Sequence, residues 1–365
     1  MVNLSSMKKV VIIGGSGRIG SAVAERLLAY DPELRITITG RDDARGQRIA
    51  QRLGARVDFV SVELSDMSGL RQVMSGAGLV LHTAGPFQGA EPSVLSAAID
   101  CGVPYLDIAD DLVFARKARA LSAQAAAKGV AALVNGGIFP GMSNVMAGLL
   151  AERAPAEKIE FSYFIAGSGG SGPAVMASTF ILGTTPATEF VDGNRVERTA
   201  FTGGRSVSFL APVGARSVYY LELPEVTSCF ETYRIPHVVA RFGTSPGLWN
   251  HATRLVCWLL RPWLSNRKRV ASFVALLLPL IRLIDRVVGA AIGMEVEAVD
   301  RSGKSWRLRY LHPHTLASIA AAVTAQADEL LQGRIASGVH WPEEAIKDKQ
   351  RHLELAAQGG VLIHD

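Results

Sequence analysis

The run Gly14-Gly15-Ser16-Gly17-Arg18-Ile19-Gly20 satisfies both Gly-x-x-Gly-x-x-Gly and Gly-x-Gly-x-x-Gly spacing. Glycines so placed permit a tight turn and bring backbone N–H groups against a pyrophosphate, and a helix starting there adds partial positive charge. The motif alone is weak, but its context is specific. A β-branched run, residues 8–13, precedes it, and residues 19–30 carry apolar side chains at helical spacing after it. Strand, turn and helix follow in the order that binds a dinucleotide. The next strand ends in Thr39-Gly40-Arg41. An acidic residue there would accept hydrogen bonds from a ribose 2′-hydroxyl, whereas Arg41 can grip a 2′-phosphate with a charge-assisted fork and lie against the adenine face. The sequence therefore predicts NADP(H) as cofactor, contacted by Gly14, Gly15, Ser16, Gly17, Arg18, Ile19, Gly40 and Arg41.

Further polar and glycine-bearing groups fall at predicted strand ends. Thr83, Ala84, Gly85, Pro86 and Phe87 leave a fourth strand at the edge where doubly wound sheets bind ligands. Asp107 ends a fifth strand, with Asp110 and Asp111 just beyond, and Ser143 and Asn144 open a helix after Pro140-Gly141. The three aspartates can contact cofactor, substrate or a catalytic water, and Asp110, Asp111, Ser143 and Asn144 can equally be simple helix caps. Asp107, Asp110 and Asn144 are the catalytic candidates, and Pro140, Gly141, Ser143 and Asn144 the substrate contacts. The chemistry this implies is hydride transfer to or from a carbonyl or imine carbon, the protein supplying orientation and a proton route. No tyrosine is followed four residues later by lysine, so the pair used by ordinary short-chain dehydrogenases is missing. His312-Pro313-His314 lacks further nearby ligands and reads as loop and cap, so no metal is expected.

The elements that must position these groups alternate. Strands are predicted at residues 8–13, 35–39, 57–62, 79–83, 105–107 and 130–134, with helices at 19–30, 43–53, 65–74, 92–101 and 113–128. Such alternation gives an α/β fold, a doubly wound Rossmann domain over residues 1–140. Strand-like runs at 158–166, 191–199, 207–210, 217–223 and 306–311 predict a second, mixed α+β domain over 141–311 serving substrate binding or oligomerisation. Residues 312–365 are expected to be helices that return to the first domain. The glycine-rich residues 167–172 read as a loop or connector.

Composition narrows the class. The chain has 365 residues, enough for two cores. Cys101, Cys229 and Cys257 form neither a disulfide framework nor a zinc spacing, and no apolar leader precedes the first strand, which predicts a cytoplasmic protein. A net charge of +5 comes without a nucleic-acid module, so nucleic acid is not an expected partner. The charge is concentrated instead in an apolar, basic helical segment, residues 248–294, where Arg254, Arg261, Arg267, Lys268, Arg269, Arg282 and Arg286 meet one acid, Asp285. Trp249, Trp258 and Trp263 lie in the same segment. Its uncharged run is too short to span a bilayer, leaving a membrane surface at the inner face, a homodimer interface and a roof over the substrate as readings.

His82-Thr83-Ala84-Gly85-Pro86-Phe87, followed by a helix and Tyr105-Leu106-Asp107-Ile108, resembles the saccharopine dehydrogenase-like family of NADP-binding oxidoreductases. The stretches Asn135-Gly136-Gly137-Ile138-Phe139-Pro140-Gly141-Met142-Ser143-Asn144 and Gly338-Val339-His340-Trp341-Pro342-Glu343 resemble its Pro-Gly segment and C-terminal signature. The resemblance implies that residues 83–87 wrap the nicotinamide ribose and diphosphate, with Pro86 and Phe87 shaping the hydride pocket. Saccharopine reductases carry an acid before the Pro-Gly pair and a histidine soon after, where this chain has Phe139 and Asn144. Ammonium and carboxylate groups need charged partners once desolvated, so a small or lipophilic substrate is expected. The alternative is a non-catalytic NADP-binding, membrane-associated or regulatory protein that kept the fold.

Overall fold

The computed structural model describes residues 9–153, 155–169, 173–264, 267–289 and 291–365. The leader reading over residues 1–8 and part of the glycine-rich run, 170–172, lie outside them. In chain order come β1 (Lys9–Ile13), α1 (Arg18–Tyr30), β2 (Arg35–Gly40), α2 (Asp43–Leu53), β3 (Val57–Ser61), α3 (Met67–Met74), β4 (Leu79–His82), α4 (Ser93–Asp100), β5 (Tyr105–Asp107), α5 (Leu112–Arg119), α6 (Ser122–Ala127) and β6 (Ala131–Leu133). They are followed by α7 (Ser143–Arg153), β7 (Ala156–Ala166), α8 (Pro173–Thr184), β8 (Ala187–Val191), β9 (Asn194–Arg198), β10 (Arg205–Ser208), β11 (Ala215–Tyr220), α9 (Pro224–Tyr233) and β12 (His237–Ser245). Then come α10 (Leu248–Leu259), α11 (Arg261–Leu264), α12 (Arg267–Val288), β13 (Ile292–Asp300), β14 (Ser305–His312), α13 (Thr315–Leu331), β15 (Gly338–His340), α14 (Pro342–Ala345), α15 (Lys349–Ala356) and β16 (Val361–His364). Two compact units result: one runs to Met142 and includes Ile319–Ala356, the other is Ser143–Ser318 with Ala357–Asp365.

The first unit is a seven-stranded parallel sheet in the order β15-β6-β5-β4-β1-β2-β3 among the described residues. Both faces are covered by helices, so its strands read as continuous apolar runs, and Val10, Val11, Ile12 and Ile13 are at most 1% exposed. Strand order reverses between β1 and β4, and the loops leaving their C-terminal ends flank the crevice where such sheets bind ligands.

The second unit is built on a mixed sheet running β10-β11-β12-β7-β13-β14-β16, with β8 beside β12 and β9 beside β8. β7 and β12 are parallel, and β13 pairs antiparallel with β7. One face is aliphatic and aromatic, with Ile159, Phe161, Tyr163, Met294, Val296 and Ala298 all buried. The other carries a charge network in which Glu160 accepts from Arg241 at 2.5 Å, with Lys158 2.8 Å away and Arg205 also paired. Burial alone would raise the Glu160 pKa, but these cations outweigh it and hold the carboxyl below its usual range.

Several expectations are corrected. The helix expected over residues 113–128 is two, because Leu121 N turns to Ala118 O at 3.0 Å, a tightened i−3 bond that closes α5. The strand expected over residues 191–199 is the hairpin of β8 and β9, turned by Asp192 at φ 50 and Gly193 at φ 75. Strand β12 lies where no element was predicted, and the apolar basic segment is helical only to Val288, its last residues, 292–294, beginning β13. The tail expected to be helical ends as β16, paired with β14 in the second sheet.

Candidate functional site

The glycine-rich turn sits between β1 and α1, tied to β2 by Ser16 N donating to Thr39 O at 3.1 Å and Gly14 N to Thr39 Oγ1 at 3.2 Å. Gly14 adopts φ +80, and a Cβ there would stand 2.8 Å from the backbone of Ala84. A Cβ on Gly20 would lie 2.5 Å from Gly14 O and 2.7 Å from Thr83 Oγ1. The two loops that the sequence assigns to the cofactor, residues 14–20 and 83–87, are therefore packed backbone to backbone. Thr83 fixes the second loop, its hydroxyl donating to Ile13 O at 3.0 Å.

The geometry fits a dinucleotide phosphate. Gly17 caps α1 without a side-chain hydrogen bond, and no acid lies in the first turn. The helix thus presents N–H groups and a partial positive charge, with no acid of its own first turn to engage them. Arg18 and Gly85 are exposed, while Gly14, Gly17, Ile19, Gly40, Thr83, Ala84 and Pro86 are half-buried and Gly15 and Ser16 buried. Arg41 is exposed at the end of β2. Its neighbour Asp42 is committed to α2, accepting from Arg45 N at 2.9 Å.

Phe87 departs from the expectation of a pocket wall. It is 3% exposed and packs edge-on against His82 and Phe114, with centroids 4.9 and 5.1 Å away. Beneath the loop lies a buried polar cluster. His82 Nδ1 and Tyr105 Oη share a hydrogen bond of 3.0 Å, and burial pulls the His82 pKa down to about 3, so the ring is neutral. Asp107 is wholly buried, its Oδ1 accepting from Ala109 N at 3.1 Å and Asn135 N at 3.0 Å. Burial pushes its carboxyl up to about 7, although both N–H donors oppose the shift. Burial, and then the Asp107 charge, raise the Tyr105 pKa well above its usual value. Asp107 thereby locks the ends of β5 and β6 together. Asp110 accepts from Gln88 Nε2 at 3.0 Å, linking the loops after β4 and β5, and Asp111 is the cap, accepting from Phe114 N at 2.7 Å.

The Pro-Gly loop after β6 is irregular and buried at Ile138, Pro140, Gly141 and Met142. Gln326 on α13, wholly buried, clamps it, accepting from Gly137 N at 2.8 Å and donating to Gly137 O at 3.0 Å. Sequence reasoning missed Gln326; the available signal was one amide in an otherwise Ala-rich helical run. In the second unit, Ser143 and Asn144 open α7 but are buried, at 0% and 1% exposure. Asn144 Nδ2 donates to Ser228 Oγ at 3.0 Å, and Tyr163 Oη donates to Glu225 Oε1 at 2.5 Å. Burial first, then the Glu225 charge, raise the Tyr163 pKa, with Ser143 bonding against the shift. Tyr163, Glu225 and Ser228 are thus polar neighbours that no motif announced. Among the described residues no group of acids, histidines and cysteines could hold a metal.

Comparison with known proteins agrees with the cofactor reading. Residues 10–133 match the family model described as the saccharopine dehydrogenase NADP binding domain. The chain is 29% identical over 124 residues to a trans-acting enoyl reductase of Mycobacterium leprae, covering 33% of this chain and 30% of that protein. It is 30% identical over 107 residues to carboxyaminopropylagmatine dehydrogenase of Synechocystis, covering 28% and 26%. The matched stretch spans less than a third of these relatives' length. In fold, apo saccharopine dehydrogenase (L-Glu forming) of Saccharomyces cerevisiae is similar over 98% of this chain and 99% of that one, with a TM-score of 0.67 at 15% identity.

Proposed function

We propose that this chain, whose residues 10–133 match the saccharopine dehydrogenase NADP binding domain, is an NADP(H)-dependent oxidoreductase acting on a carbonyl or imine carbon of a small or lipophilic substrate. The observation that carries this reading is the packing of residues 14–20 against residues 83–84 at the β1/β4 switch point, beside an uncapped helix N-terminus. Matched relatives are by name a reductase and a dehydrogenase. When bound, NADPH supplies a hydride and NADP⁺ accepts one. Gly14, Gly15, Ser16, Gly17, Arg18 and Ile19 hold the pyrophosphate, Arg41 the 2′-phosphate, and Thr83, Ala84, Gly85 and Pro86 the nicotinamide side. Asp107 is a positioning residue, since it is wholly buried and its Oδ1 accepts from two backbone N–H groups. Pro140, Gly141, Ser143 and Asn144 serve the substrate in this reading, and Asp110 braces the cofactor loop through Gln88.

Arg41→Ala is expected to weaken NADPH binding about ten- to a hundredfold and leave NADH nearly unchanged, since one charge-assisted interaction contributes about 1.5–3 kcal/mol. Calorimetric titration of both cofactors into wild type and variant measures this. Equal wild-type affinities for NADPH and NADH would overturn the assignment of Arg41. Loss of NADPH absorbance on incubation with fractionated cell metabolites tests for turnover, and binding without oxidation in any fraction would favour the non-catalytic alternative.

A further inference from the structure

The helices α10 and α12 are amphipathic in an unusual sense: their inner faces are core and their outer faces are apolar too. Cys257, Leu264, Val270 and Val274 are buried in a cluster with Ala177 and Phe180 of α8. On α10 the opposite side exposes Leu248, Leu255, Trp258 and Leu259, Trp258 at 74%. On α12, Leu276, Leu280, Leu283 and Val287 are exposed at the spacing of one helical stripe, Val287 at 84%. Elsewhere among the described residues the exposed large apolar side chains are Tyr30, Val60, Leu64, Val113 and, together on β16, Val361 and Ile363, and no other helix carries a stripe of four. An exposed apolar stripe of this kind, present on each of the two helices, marks an interaction site.

Charge selects the occupant. The segment carries seven cations and one acid, and that acid is turned away: Asp285 accepts from Ser168 N at 2.7 Å and from Ser168 Oγ at 2.6 Å. A second copy docked face to face would bring the arginines of this segment, Arg254, Arg282 and Arg286, against their like while its one acid is engaged by Ser168, a destabilising juxtaposition. An anionic surface reverses the sign. Arg254, Leu255, Trp258 and Arg261 also line an open cleft of about 650 Å³ with Arg198, Glu197 and His251, which pairs guanidinium with apolar surface. No helix among the described residues is long and apolar enough to cross a membrane. We infer that the outward faces of α10 and α12 dock in the plane of an anionic lipid bilayer, tryptophan and leucine entering the interface and the arginines meeting lipid phosphates.

Sedimentation of the full chain with phosphatidylglycerol-rich and with pure phosphatidylcholine vesicles tests this, with Trp258 emission as a second readout. The wild type is expected to pellet with the anionic vesicles at low salt, with blue-shifted emission that Trp258→Phe reduces, and to release as salt rises. Arg282→Gln with Arg286→Gln is expected to lower partitioning roughly thirtyfold, at about fivefold per cation. Leu276→Ser with Leu283→Ser, both at exposed positions that leave the core untouched, should weaken it as well. Equal binding to the two vesicles, no binding to either, or a dimer that the leucine variant dissolves without any vesicle effect would each overturn the inference.

Discussion

NADPH affinity is expected to fall at least about a hundredfold in Gly20→Ala, which corresponds to about 2.7 kcal/mol. The added Cβ would stand 2.5 Å from Gly14 O and 2.6 Å from Gly15 Cα, both backbone atoms that no rotamer change can move aside. The turn itself must shift, and with it the N–H groups at the start of α1 that the pyrophosphate needs. Two charge-assisted hydrogen bonds to that pyrophosphate, at about 1.5–3 kcal/mol each, together exceed the expected effect even after partial relaxation. Unliganded stability should also drop, by about 1–3 kcal/mol for overpacking. Gly85→Val supplies the contrast, since its nearest atoms are the Phe87 ring at 3.6 Å and the position is exposed. That variant should melt like wild type yet bind NADPH poorly, because its side chain fills the space over the loop. Calorimetry with parallel thermal melts reads both variants, and Gly20→Ala retaining affinity within about threefold would remove the turn from the cofactor site.

The first unit was legible because its signals are local. Strand, glycine turn and helix are contiguous in sequence, and buried parallel strands such as β1 show as unbroken β-branched runs. The second unit was less so because its sheet interleaves distant segments. β13 alternates Met294, Val296 and Ala298 with Glu295 and Glu297, and the burial of Glu297 depends on Arg205, far along the chain, and on Arg307 of the next strand. Without those partners a strand rich in glutamate does not read as core. The same holds for the site. Gly14 and Gly20 announce themselves by spacing and Thr83 by its place at a strand end, whereas Gln326 reaches Gly137 across 189 positions and Glu225 reaches Tyr163 across 62. Phe87 illustrates the converse error: a motif position was legible, but the inward direction of its ring depended on His82 and Phe114.

Asp107→Asn is expected to stabilise the protein increasingly as pH rises toward neutrality. Burial holds the native carboxyl at about 7 against an ordinary 3.8. Below about pH 4 both folded and unfolded chains carry the proton, and the group adds nothing to the pH dependence. From there to about pH 7 the unfolded chain has released it while the native state keeps it, so stability falls by about 1.4 kcal/mol per pH unit at most. Above that range the cost is constant. His82 acts with the opposite sign, because burial lowers its pKa to about 3, and its contribution is present above the ordinary 6.5 and lost as pH falls. In wild type the two slopes therefore offset each other through the mildly acidic range. The amide that this substitution introduces would keep an acceptor for Ala109 N and Asn135 N but carry no charge, leaving the His82 slope alone. Urea unfolding at several pH values should show the variant and wild type equal near pH 4 and the variant more stable by at least about 1 kcal/mol near pH 7, with about 4 kcal/mol as the ceiling set by the shift. A difference that does not change with pH would mean that Asp107 is ionised in the folded protein throughout, and that the link between β5 and β6 is a carboxylate rather than a carboxylic acid.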